Sequence, residues 1–173
     1  RKSYLRENDP LSGVDPYSGS KAAVENIVNS FPRLESKKIV TVRSGNVLGG
    51  GDISQNRLIP DFIRAWQLKK SLYLRSPKGV RPWLHVLETI RGYLLFSEYL
   101  CCEPNENITN LNFAPRKENH VDVMRIINFS RDIVGGDKPY IEVIKDANFA
   151  ERGALRLNSD LARKTIGWNQ VWG

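Results

Sequence analysis

The sequence predicts an α/β fold. Stretches whose apolar residues recur at helical spacing alternate along the chain with short β-branched or apolar runs, and nothing repeats or falls into low complexity. The first of those runs, Lys38 to Gly49, empties into a glycine-rich loop, as a strand of a parallel sheet does where it meets its crossover. At 173 residues, 40% of them hydrophobic, the chain suffices for one domain with a real core or for a large piece of a bigger one.

Each element has its own signal. Asp15-Pro16 reads as a helix entry, after which Ala22, Ala23, Ile27, Val28 and Phe31 keep helical spacing until Pro32 breaks the run. KIVTVRSGNVLG reads as one buried strand, and GGGDISQNR as the loop after it. LIPDFIRAWQLKK is a short amphipathic helix with Pro60 near its first turn, where the missing N–H costs little. SLYLRSP and VRPWLHV are short strands, the second leading into the helix LETIRGYLLFSEYL. A strand NLNFA, a helix from about Val121 to Ile133, a strand YIEVI and a closing strand–helix pair in LRLNSDLARKTIGW complete the order.

Composition narrows the function classes. The formal charge is +7, but lysines and arginines are interleaved with acids, and the densest clusters are only Lys37-Lys38 and Lys69-Lys70. No aromatic-basic repeat, zinc spacing or recognition-helix pattern accompanies the charge, so nucleic acid is not the expected partner. A smaller anion such as a nucleotide diphosphate fits local arginines equally well. Cys101 and Cys102 are sequence neighbours, which rarely meet disulfide geometry without strain, and two such thiols suggest a reducing cytoplasm. The longest apolar stretch, Gly92 to Leu100, is too short and too polar to span a bilayer, so no membrane role is expected. The chain opens on Arg1 and stops at TIGWNQVWG without an obvious helix stop, which suggests a fragment.

Three constellations can carry chemistry. Tyr17 and Lys21 stand four apart at the head of the first helix and share a face. A phenol ionises near ~10 and serves as a base at neutral pH only where its anion is stabilised, and an ammonium roughly 5 Å away supplies ~3 kcal/mol at an effective dielectric of about 20. Alone, the pair reads more simply as a surface tyrosine beside a solvated lysine. In RSGNVLGGGD, Asn46 can offer an amide at the carboxyl end of a strand, where α/β sheets bind ligands, and the glycines let backbone approach closely; a mobile hinge explains the same residues equally well. The glycines lack the spacing of a dinucleotide fingerprint. In VRPWLHV, Arg81 can fork onto a phosphate with Trp83 packed beneath a sugar or base, while surface, core and satisfied-histidine roles explain Arg81, Trp83 and His85 singly. Arg57 is a second candidate phosphate partner or else a capping or surface residue. Glu151, Arg152 and Arg156 form a mixed cluster better read as solvated. Two histidines, His85 and His120, and adjacent cysteines give no metal-ligand spacing, and no nucleophile elbow is present.

Taken in order, ENDPLSGVDPYSGSKAAVE, RSGNVLGGGD, NRLIPDFIRAW, RPWLHVLETIRGYLL, NFAP and LRLNSDLARKTIGW resemble the extended short-chain dehydrogenase/reductase family, and within it the sugar-nucleotide dehydratases. The segments cover nearly the whole chain, and RPWLHV with GNVLGGGD points to the CDP-glucose branch rather than the dTDP- or GDP-sugar branches. The resemblance implies the C-terminal part of a Rossmann-like NAD-binding domain, residues 1–52 with the Tyr/Lys helix. It also implies a small α/β sugar-nucleotide-binding domain, mainly residues 53–173 with interleaved sheet elements. It implies Tyr17 as base on the sugar C4 hydroxyl while hydride passes to NAD, and Lys21 on the nicotinamide ribose, easing the phenol's ionisation. Ser18, Gly19 and Ser20 then leave room for cofactor and sugar. Asn46 and Arg81 correspond to the residues that contact and clamp the substrate diphosphate, and Arg57 lies in the segment that helps hold the nucleotide. Water leaves across C5 and C6, giving a 4-keto-6-deoxy sugar for surface polysaccharide in the cytoplasm.

The match has a gap. Members begin with a Gly-x-x-Gly-x-x-Gly turn for the NAD pyrophosphate and carry a Ser/Thr and elimination acid–base residues ahead of the tyrosine; none precedes Tyr17 here, and the usual helix after GW is lacking. The piece alone is therefore expected to be inactive, the full-length enzyme a homo-oligomer pairing through the Tyr/Lys helix. Two alternatives stay open: a non-catalytic sugar-nucleotide-binding or interaction module, and a related epimerase or GDP-mannose-type dehydratase.

Overall fold

The computed structural model describes residues 4–31, 39–102, 108–144 and 153–172. Helix α1 (Pro16–Ser30) owes its start to a reciprocal cap. Asp15 accepts the Ser18 N–H at 2.9 Å while its own N–H donates to Ser18 Oγ at 3.2 Å, and Pro16 supplies the fixed φ of a first helical residue. The helix stops at Ser30, ahead of Pro32, as its spacing predicts.

The next run corrects the expectation of one strand from Lys38 to Gly49. It forms two strands in two different sheets, β1 (Thr41–Ser44) and β2 (Asn46–Leu48), and Lys38 lies outside the described residues. The pivot is Gly45, whose N–H donates to the Phe113 carbonyl at 3.1 Å. A Cβ on Gly45 would stand 2.0 Å from the Pro82 carbonyl oxygen, so only a residue without a side chain can pass between the sheets there.

After α2 (Leu58–Gln67) and β3 (Leu72–Leu74) come β4 (Val80–His85), running straight into α3 (Val86–Cys102), and β5 (Asn110–Phe113). β1 pairs in parallel with β5, and β2 in parallel with β4. The helix expected from about Val121 begins later, as α4 (Val123–Ile133), because Val121 and Asp122 belong to β6 (His120–Asp122), antiparallel to β4. Asp122 then caps α4 by accepting the Arg125 N–H at 2.7 Å. β7 (Ile141–Val143) pairs in parallel with β3. The closing strand expected in LRL is reduced to isolated bridges, Val80 with Ala154 and Leu5 with Leu157, ahead of α5 (Asp160–Ile166). The reason is local: the Leu157 N–H donates to His120 Nε2 at 3.3 Å, so a side chain satisfies what a strand ladder would have.

Among the described residues the buried core falls into two clusters. Leu84, Phe96, Leu111, Phe113, Ala162 and Trp168 pack where α3 and α5 meet the β1–β5 sheet; Phe62, Ala65, Leu72, Leu74 and Ile127 pack between α2, α4 and β3. Gly92 lets α3 close onto that first cluster, since a Cβ there would lie 2.9 Å from the Phe113 ring. The other face of the β1–β5 sheet is polar. α1 buries one side chain, Glu25, which meets Arg43 of β1, and it leaves Val24, Ile27 and Phe31 exposed. Among the described residues no helix is long and apolar enough to cross a membrane.

Candidate active site

Tyr17 sits at the second position of α1, 68% exposed, held there by the cap that precedes it. One turn on, the Lys21 ammonium stands 5.8 Å from the centroid of the phenol ring. The helical spacing read from the sequence thus places the two groups side by side.

Asn46 opens β2 immediately after the Gly45 pivot, opposite Trp83 of β4 in the parallel register. Arg81, two residues earlier on β4, is half-buried and donates from Nη1 to the Val80 carbonyl at 2.8 Å. Arg57 occupies the N-cap position of α2 through its backbone only, with no side-chain cap bond, and follows Asn56, whose φ of 60° turns the loop into the helix. These residues share one space. Tyr17, Asn46, Arg57 and Arg81 all line a cavity of about 880 Å³, within the size range of small-molecule sites. Lys21 does not line it; it stands beside Tyr17.

The charges around the cavity suit a polyanion. Arg75, at the end of β3, joins Arg57 and Arg81 in the wall, and the sequence reading missed it because nothing but the fold brings that strand's end to Asn46. Asp52, also in the wall, is held below the usual carboxylate range by the Ser54 N–H at 2.9 Å, then by the Ser54 hydroxyl, with Arg57 and Arg64 adding to the effect. Arg64 pins this loop to α2, donating to the Ile53 and Ser54 carbonyls at 3.0 and 2.8 Å and pairing with Asp61.

Other candidates fall elsewhere. Trp83 lines the cavity, but its indole N–H is committed to the Val121 carbonyl at 3.0 Å. His85 ends β4 outside the cavity, exposed, its ring edge-on to Trp172 at 5.4 Å and its Nδ1 accepting the Leu87 N–H at 3.3 Å. Glu151 and Arg152 lie outside the described residues. Cys101 and Cys102 are free and exposed, and no group of three metal-ligating side chains occurs among the described residues.

Residues 2–111 match the sequence profile of the NAD dependent epimerase/dehydratase family. The chain belongs to this family. A CDP-glucose 4,6-dehydratase of Salmonella typhimurium is 33% identical to this epimerase/dehydratase chain, over 97% of it and 49% of that protein. A UDP-glucose 4-epimerase of Lacticaseibacillus casei is 23% identical over 95% of the chain and 53% of its own length. The chain therefore spans about half the length of the curated relatives it matches. Among solved structures, the dTDP-glucose 4,6-dehydratase of Bacillus anthracis in complex with NAD superposes with a TM-score of 0.81 at 19% identity, covering 99% of this chain and 52% of that one. MoeE5 in complex with UDP-glucuronic acid and NAD gives 0.83 at 17% identity, covering the whole chain and 56% of MoeE5. That likeness shows the fold, the Rossmann-like α/β arrangement expected from the sequence, in a family that depends on NAD.

Proposed function

We propose that this chain supplies the proton-transfer pair and the nucleotide-sugar site of an NAD-dependent CDP-glucose 4,6-dehydratase, converting CDP-glucose to CDP-4-keto-6-deoxyglucose. One observation carries the reading: the phenol of a Tyr-x-x-x-Lys pair and the Asn46, Arg57 and Arg81 side chains, far apart in sequence, line a single cavity. The Salmonella relative supports the choice of substrate.

Each residue has a part. Tyr17 takes the proton of the sugar C4 hydroxyl, and Lys21, beside the phenol ring, steadies the cofactor ribose. Asn46 donates to the diphosphate and Arg81 clamps it with a planar fork that matches phosphate oxygens, while Arg57 holds the nucleotide end. NAD, when bound beside Tyr17 and Lys21, would supply hydride acceptance at C4 and hydride return at C6; between the two the C5 proton and C6 hydroxyl leave as water, and the proton C5 regains is balanced by the one taken from the C4 hydroxyl. Tyr17 and Lys21 fit the nicotinamide-ribose end of NAD: an exposed phenol and a lysine beside it on one helical face leave α1 open to a flat ring and a ribose. Free, exposed thiols at Cys101 and Cys102 support a cytoplasmic setting, and the exposed Val24 and Ile27 of α1, with Phe31 at its end, support pairing with a second copy.

Calorimetric titration with CDP-glucose, dTDP-glucose and UDP-glucose tests the substrate. CDP-glucose should bind tightest, and Arg81→Ala should weaken it about 10- to 100-fold, the worth of a charge-assisted phosphate contact. Preference for UDP-glucose would instead favour the epimerase activity of the other relative. Nucleotide-sugar binding indifferent to Tyr17→Phe would favour a non-catalytic binding module.

A further inference from the structure

On the helix that carries Tyr17 and Lys21, the face turned to the sheet centres on a charged side chain, with the apolar Ala22 and Val28 half-buried one turn to either side. Its one buried side chain is Glu25, 9% exposed, two turns beyond Tyr17 and one beyond Lys21. Arg43 of β1 grips it through Nε, 3.1 and 3.0 Å from the two carboxylate oxygens, and through Nη2. The Thr41 hydroxyl donates to the same carboxylate at 3.2 Å. The remaining Arg43 arm, Nη1, donates to the Glu7 carbonyl at 3.2 Å, and the Glu7 carboxylate accepts the Asn112 N–H of β5 at 2.9 Å. Thr41 and Arg43 occupy the face of the sheet opposite Ser44, whose hydroxyl meets Thr89 of α3 at 3.0 Å, so α1 and α3 lie on opposite faces.

The position of this clamp matters. Arg43 is two residues ahead of the Gly45 pivot and three ahead of Asn46, so β1, to which Glu25 is pinned, runs through that pivot directly into the strand that carries Asn46 to the cavity. We infer that Glu25 and Arg43 are positioning residues: their ion pair sets where the Tyr17–Lys21 face of α1 stands against the Asn46–Arg81 wall of the cavity. The inference rests on the reading of that cavity as the nucleotide-sugar site. A planar guanidinium forked onto a carboxylate fixes angle as well as distance, which greasy contacts do not. Replacing either partner alone leaves the other charge buried without its mate, whereas replacing both removes the constraint without stranding a charge.

The test uses the full chain with Cys101→Ser and Cys102→Ser, spin labels at Asn29→Cys on α1 and Ser97→Cys on α3, and pulsed electron resonance to read the distance between them. One narrow distance is expected with Glu25 and Arg43 in place. Glu25→Gln should broaden or shift it, and Glu25→Leu with Arg43→Met serves the same purpose if the single variant fails to fold. An unchanged distribution in folded variants overturns the clamp. A second readout separates positioning from mere stability. Without the labels, the folded variants should lose about tenfold in affinity for CDP-glucose, which reaches toward Tyr17, while affinity for CDP, which needs only the Asn46–Arg57–Arg81 wall, stays within about threefold. Equal losses for both ligands overturn the positioning role. Should the parent chain bind neither, the reading of the cavity fails, and the distance measurement still decides the clamp.

Discussion

His120 and Glu88 are buried titratable side chains whose partners select one charge state. Burial holds His120 below its ordinary value of 6.5, against the hydrogen bond to the Arg116 carbonyl, and its Nε2 must stay unprotonated to accept the Leu157 N–H. For Glu88, burial alone would raise the carboxyl, but the Trp172 and Val171 N–H groups and Arg91 outweigh it and hold it below 4.5. Both groups bind fewer protons folded than unfolded, so their contributions are complete above those ordinary values and are lost as pH falls through them toward the folded values. Urea midpoints should therefore fall first below about pH 6.5, a step absent in His120→Gln, and again below about pH 4.5. Tyr17 behaves differently, because its ring is largely exposed and holds little together. Tyr17→Phe should leave the melting temperature nearly unchanged and, under the proposed function, cut dehydration by the holoenzyme about 10²- to 10⁴-fold, measured as formation of the 4-keto sugar. The Tyr-x-x-x-Lys spacing was legible because helical geometry acts over one turn. Arg75 was not, because its approach to Asn46 is made by strand placement.

At the scale of elements, local chemistry wrote the helices and long-range pairing wrote the strands. α1 is spelled out by Asp15, Pro16, Ser18 and the halt before Pro32, all within one stretch of chain. The run from Thr41 to Leu48 shows the opposite case, since no residue in it announces that Thr41–Ser44 will pair with β5 and Asn46–Leu48 with β4. Gly45 makes the change possible, and Gly45→Ala should cost about 1–3 kcal/mol by urea unfolding, because its new methyl meets the backbone of Pro82 rather than a side chain able to move. That variant should also weaken nucleotide-sugar binding, since Asn46 is the next residue. β6 eluded the periodicity for a related reason: three residues that pair with β4 look, from inside the sequence, like the first turn of α4.

For the whole molecule, the exposed apolar face of α1 is the feature with a consequence. Val24 and Ile27 of α1 and Phe31, which caps its end, are each more than half exposed although the opposite side of the helix is anchored by an ion pair. If that face pairs with a second copy, sedimentation velocity should show concentration-dependent association that Ile27→Glu abolishes while the far-ultraviolet circular dichroism is unchanged; a monomer at all concentrations would refute the pairing. The sequence by itself determined the α/β class, the order of the helices, the Tyr17–Lys21 pair and the family, because periodicity, caps and motif spacing are properties of neighbouring residues. Only the tertiary structure decided that one run of chain serves two sheets, that Asn46, Arg57, Arg75 and Arg81 wall one cavity, and that a glutamate and an arginine 18 residues apart tie α1 to β1. Those outcomes depend on which strands lie side by side, and that is settled by the packing of the whole chain rather than by any stretch of it.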